Sequence, residues 1–159
     1  MSLQHLWQLS YESKTIDILR NSHLAIPIIQ TFHLFGITLL LGAMVALNFR
    51  MLGIGMKEFP LRVIARQTWT WGTAGLILAI FTGLLVFIPD PARYAANRSF
   101  VTKMALLLLA VVFQYTVYRR VVRAESEKTI PQSSKLIPLF SLSLWFAIGW
   151  AGRAIAFLG

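Results

Sequence analysis

The chain has no cysteine, and only six acidic residues stand against fifteen lysines and arginines among its 159 positions. The first absence excludes disulfides, thiolate-held iron–sulfur clusters, thioether-attached haem and cysteine nucleophiles, so redox chemistry here requires a borrowed cofactor. The second removes paired carboxylates from any apolar segment: Glu12, Asp17, Glu58, Asp90, Glu125 and Glu127 all lie outside the long hydrophobic runs or at their ends. Neither carboxylate-driven proton pumping nor a Ser/His/Asp hydrolase is written here, and no glycine loop is placed to cradle phosphate. Charge of both signs is scarce, at 13% of the chain against 57% hydrophobic residues, a composition far from that of ordinary soluble proteins. The formal charge of +9 sits mostly between apolar runs, which points to anionic lipid head groups as its partner and away from nucleic acid.

What is present is four stretches long and apolar enough to cross a bilayer. An unpaired peptide group in lipid costs several kcal/mol, so a hydrocarbon layer about 30 Å thick is spanned by about 20 helical residues. The runs predict helices at about 23–47, 67–88, 100–118 and 136–158, the second closed by Pro89-Asp90-Pro91. Helix three has a charge-free core only from Met104 to Tyr118, so Lys103 lies inside the span or snorkels out of it, and Arg153 sits at or just under the interface near the end of helix four. Gly75, Ala79 and Gly83 form a small-xxx-small ladder on helix two, and Gly149 with Gly152 suggests a similar close contact on helix four. Trp69, Trp71, Trp145 and Trp150 read as interface and packing residues.

The expected architecture is an all-α membrane protein: a single four-helix transmembrane bundle over residues 23–159, preceded by an N-terminal surface segment at 1–22. Within residues 3–20, Leu3, Leu6, Trp7, Ile16 and Leu19 mingle with Glu12, Lys14, Asp17 and Arg20, a pattern suited to a short interfacial helix. No basic n-region or small-x-small cleavage site marks a signal peptide. Orientation follows from basic residues retained on the cytoplasmic side. Loops one and three hold Arg50, Lys57, Arg62, Arg66, Arg119, Arg120, Arg123, Lys128 and Lys135, whereas the other side has Lys14, Arg20, Arg93 and Arg98. Both termini are therefore expected outside a bacterial inner membrane.

Ionisable groups within spans are costly and become site candidates for that reason. His33 falls near mid-bilayer on helix one, and Lys103 and Arg153 fall in the outer part of helices three and four. A neutral imidazole at that depth ligates haem iron, ligates copper, passes protons, or simply bonds across helices. Lys103 and Arg153 suit two carboxylates such as haem propionates, although each alone also reads as an interface anchor. Gln30 lies one turn above His33 on the same face, and Gln114 shares the Lys103 face. His23 is ten residues from His33, about 15 Å along the helix, so the two cannot clamp one iron within one chain. Met44 is too far as well, and His5 would have to fold back. A haem here is then five-coordinate, ligated by Met104 or another non-histidine group, or shared with a second subunit.

The stretch Pro27-x-x-Gln-Thr-x-His33-Leu-x-Gly36, with Tyr94-Ala-Ala-Asn97, Phe100-x-x-Lys103 and Gly152-Arg153-x-Ile-Ala, resembles an uncharacterised family of small bacterial membrane proteins over nearly the whole chain. A helix-one histidine followed by a lysine at the start of helix three is also similar, more distantly, to the copper-resistance D membrane domain and to the J-type protoporphyrinogen oxidase. The latter family binds haem b through a first-helix histidine. That likeness implies His33 as axial ligand and Lys103 as a polar partner. At the end of helix one, Asn48-Phe-Arg50-Met-Leu stands where the J-type oxidase is arginine-rich and aromatic. The expected function is that of a b-type haem protein exchanging electrons with quinol or a periplasmic partner, and assembled as a homo-oligomer. A copper or small-solute transport component, or a structural subunit of a membrane complex, are the alternatives.

Overall fold

The computed structural model describes residue 22 and residues 24–118 and 135–158. Every regular element among them is helical: α1 (Ala25–Leu52), α2 (Leu61–Phe87), the short α3 (Pro91–Ala96), α4 (Arg98–Phe113) running into a π-helical turn (Gln114–Tyr118), and α5 (Leu136–Leu158). Four helices are long and apolar enough to cross a membrane, making this a multi-pass, all-α membrane protein. Their surfaces agree. Leu34, Phe35, Ile77, Phe81, Leu108, Phe146 and Trp150 are each more than half exposed, which water would penalise and lipid tails solvate. The expected N-terminal surface helix, His5, His23 and the basic cluster at Arg119, Arg120 and Arg123 lie outside the described residues.

Helix ends differ from the hydropathy reading, for a local reason. α1 continues five residues beyond Leu47 and α2 begins six before Gln67, so Arg50, Arg62 and Arg66 are helical residues and not loop. The apolar slab sets which residues must be helical, while caps decide where the helix stops. Gly53, at φ 75°, donates to Arg50 O at 3.1 Å and Ile54 to Phe49 O at 3.0 Å, the paired bonds of a Schellman stop. Arg50 Nε then donates to Phe59 O at 3.1 Å, tying the connection to the helix it left. Ser22 Oγ accepts from Ala25 N at 3.1 Å at the start of α1. Asn97 plays the same part for α4, its side-chain oxygen accepting from Ser99 N at 2.9 Å and Phe100 N at 3.3 Å. Pro91, with no N–H to leave orphaned, opens α3, a turn of helix that the Pro-Asp-Pro stop did not suggest.

Packing divides the chain into two units, one of residues up to Leu40 with Thr73–Ala96, the other of Leu41–Gly72 with Asn97 onward. In the first unit α1 and α2 meet backbone to backbone. A Cβ on Gly75 would stand 2.7 Å from Leu40 N and 2.8 Å from Gly36 O; one on Gly36 would stand 2.9 Å from Ala79 N. The ladder on α2 is therefore used inside the chain, against α1. In the second unit Leu47, Met51, Ile64 and Ala65 form a buried cluster with Leu61 and Ile137 against it. There α4 and α5 run antiparallel, with Phe113 edge-to-face on Phe140 at 5.0 Å and Lys103 lying along Gly152. Gly149 makes no close approach: a Cβ there would meet nothing within 4 Å, so the expected Gly149–Gly152 packing motif reduces to Gly152. Trp145 is buried, Trp71 and Trp150 are exposed, and Trp69 packs edge-on against Tyr115 at 4.5 Å.

Because the Gly75 contact is to backbone and not to a flexible side chain, Gly75→Ala is expected to destabilise the protein by about 1–3 kcal/mol. Thermal unfolding in detergent checks this, with Gly149→Ala as a control expected to stay within about 0.5 kcal/mol of the parent.

Candidate functional site

His33 is the ninth residue of α1, about 12 Å along the helix from its start. Its Nδ1 lies 3.0 Å from Thr82 Oγ1 on α2. The Thr82 hydroxyl proton is committed elsewhere, since Oγ1 donates to Leu78 O at 2.6 Å, with Ala79 O at 3.4 Å. With that proton on Leu78 O, Thr82 Oγ1 is the acceptor for His33 when the imidazole carries its proton on Nδ1. In the neutral imidazole that tautomer places the lone pair on Nε2. Thr82 is buried, so the acceptor is held away from competing polar groups. Gly83, the next residue, gives the ring room: a Cβ there would stand 3.2 Å from His33 Cε1 and 3.6 Å from Nδ1. Gly83 thus serves the histidine, where sequence reading gave it only a helix-packing role.

In the second unit, Lys103 sits one turn into α4 and is half-buried. Its chain does not simply snorkel outward. Cδ, Cε and Nζ all lie 3.7–3.9 Å from where a Cβ of Gly152 would be, so the side chain is laid across α5. Among the described residues the ammonium has no hydrogen-bond or ion-pair partner. Arg153, next to Gly152, is exposed and does have a partner. The local arrangement is a cation lying on a glycine surface, suited to a carboxylate or another small anion.

The two glutamines separate. Gln30 is exposed on α1. Gln114 is buried at the first residue of the π-turn, eleven positions beyond Lys103 and so about 16 Å from it along the helix. It shares a face with Lys103 but belongs to another layer. Thr82 escaped the sequence reading because a lone threonine in an apolar helix ordinarily bonds its own i−4 carbonyl. Thr82 does that, and accepts from His33 with a lone pair the proton does not use. The one available signal was its adjacency to Gly83.

No three histidine, aspartate or glutamate side chains among the described residues come close enough to hold a metal ion as a cluster. A porphyrin brings its own four nitrogens and asks the protein for one or two ligands, so a single oriented imidazole fits that group. In a protein labelled with 15N-histidine, the His33 signals are expected to show a protonated Nδ1 and an unprotonated Nε2. Thr82→Val is expected to redistribute the tautomers and lower the melting temperature by roughly 2–4 °C, the scale of one lost hydrogen bond.

The comparisons with known proteins add a family and no activity. No curated protein and no solved structure matches the chain. The sequence profile of a family of unknown function, DUF6644, matches residues 12–158, so the chain belongs to that uncharacterised family.

Proposed function

We propose that the protein binds a b-type haem in the membrane and passes electrons, with His33 ligating the iron through Nε2. The observation that carries this reading is the hydrogen bond between His33 Nδ1 and Thr82 Oγ1, with the ring seated over Gly83. Metal-bound histidines almost always donate their other ring N–H in this way, which fixes the tautomer and raises the basicity of the ligating nitrogen. Lys103, without a partner among the described residues, and Arg153, one residue beyond the glycine on which Lys103 lies, are cations of the kind that a propionate takes.

The order of a helix-one histidine and a lysine at the start of the third span supports the same reading through its resemblance to the copper-resistance D domain and the J-type oxidase. The excess of basic residues at the end where the first and second spans join, helix ends included, and between the third and fourth spans supports a bacterial inner-membrane orientation with both termini outside. His33 then stands nearer the outer face, on the side of a quinol site or a periplasmic redox partner. When bound, the haem would supply the one-electron chemistry; the chain orients the imidazole through Thr82 and gives it room at Gly83.

Detergent-purified protein, expressed with ample haem, is expected to show a Soret band and a reduced-minus-oxidised difference spectrum, with pyridine treatment identifying haem b. His33→Ala is expected to abolish the band. Thr82→Val is expected to weaken haem affinity about 10- to 100-fold while leaving a five- or six-coordinate spectrum, and Lys103→Gln to speed haem loss. Colourless parent protein would overturn the proposal and favour a transport or structural role for His33.

A further inference from the structure

A second polar setting lies in the other unit and is independent of the haem reading. Asn48 on α1 and Ser141 on α5 are 3% exposed, and Gln114 is 6% exposed. Asn48 Nδ2 donates to its own helix at Met44 O, 2.8 Å, and across to Ser141 Oγ, 3.1 Å. The antiparallel register that sets Lys103 beside Gly152 and Phe113 against Phe140 puts Gln114 level with Ser141. Three neutral polar side chains from three helices therefore share one level. It lies one to two turns in from the end where α1 stops and α5 begins.

Their hydrogen bonding is incomplete. Among the described residues, nothing pairs with the Gln114 carboxamide, with Asn48 Oδ1 or with the Ser141 hydroxyl proton. Elsewhere in the spans hydroxyls are satisfied internally, as Thr38 is by Leu34 O at 2.9 Å, Thr68 by Ile64 O at 2.8 Å and Thr116 by Val112 O at 2.6 Å. The exception falls where α4 widens into its π-turn, a feature that gathers at functional positions. The unmet groups include N–H and O–H donors as well as carbonyl acceptors. A bare cation would satisfy only the acceptors and an anion only the donors, whereas water satisfies both.

We propose that Asn48, Gln114 and Ser141 form an internal water-binding site in the second unit, with bound water bridging the Gln114 carboxamide to the Asn48–Ser141 pair. The site gives this end of the protein a hydrated polar layer within the membrane-spanning helices, and it is a place where a proton or small neutral solute can be received.

The test combines two readouts on the full chain. The near-isosteric Gln114→Met, Ser141→Ala and their double variant are compared by thermal unfolding. With bridging water, each single change lowers the melting temperature by roughly 2–6 °C, and the double change costs clearly less than the sum. With no water, Gln114→Met removes an unpaired buried amide and raises the melting temperature, and the effects add. Water-edited solid-state NMR on glutamine side chains labelled with 15N, in lipid, reads the site directly. The signal lost in Gln114→Met should gain magnetisation from water as fast as an exposed amide does. A rise in melting temperature, or a Gln114 signal that receives no water magnetisation, overturns the proposal.

Discussion

Lipid offers no hydrogen bonds, and that single fact orders this chain. Every peptide group between Ala25 and Leu52, or between Leu61 and Phe87, must find its partner within its own helix, because the alternative costs several kcal/mol per group. The same demand extends to side chains. Most threonine and serine hydroxyls of the described spans turn back onto carbonyls four residues earlier, as Thr31 does onto Pro27 and Ser143 onto Leu139. Polar groups outside this pattern are few, and His33, Lys103 and Gln114 stand out among them.

With hydrophobic burial unable to drive one apolar helix against another inside lipid, contact rests on shape. Gly36 and Gly75 let α1 and α2 approach until backbone meets backbone. That closeness brings Thr82 within reach of His33. Gly83 then removes the one atom that would collide with the ring. The glycines of α2 thus act at two levels, first as a packing surface and then as the floor of an imidazole site. In the second unit Gly152 gives Lys103 a surface to lie along in the same manner.

The fold class was legible because hydropathy and the cost of an unpaired peptide group leave few choices over twenty residues. The number of spans, the whole of α5 and the far end of the third span at Tyr118 agree with the apolar runs, whereas the ends around the first connection differ by five or six residues where capping, not hydropathy, decides them: Gly53 ends α1 late, and Asn97 opens α4 just after an unforeseen short helix. Site residues were legible in proportion to their cost in lipid. His33 and Lys103 announced themselves as ionisable groups in apolar segments. Thr82 and the Asn48–Ser141 pair did not, because small polar side chains are common in membrane helices and only a neighbour across the interface distinguishes a satisfied one from a working one.

By itself, then, the sequence determined that the chain crosses the membrane four times as helices, and which few polar groups had to justify their position there. Both follow from one-dimensional quantities: the length of an apolar run and the cost of a charge within it. Only the tertiary structure decided that His33 meets Thr82, that the α2 ladder faces α1, and that Gln114 shares a level with Asn48 and Ser141. Those are matters of register and rotation between helices, set by contacts between residues up to 93 positions apart, which no periodicity along the chain encodes.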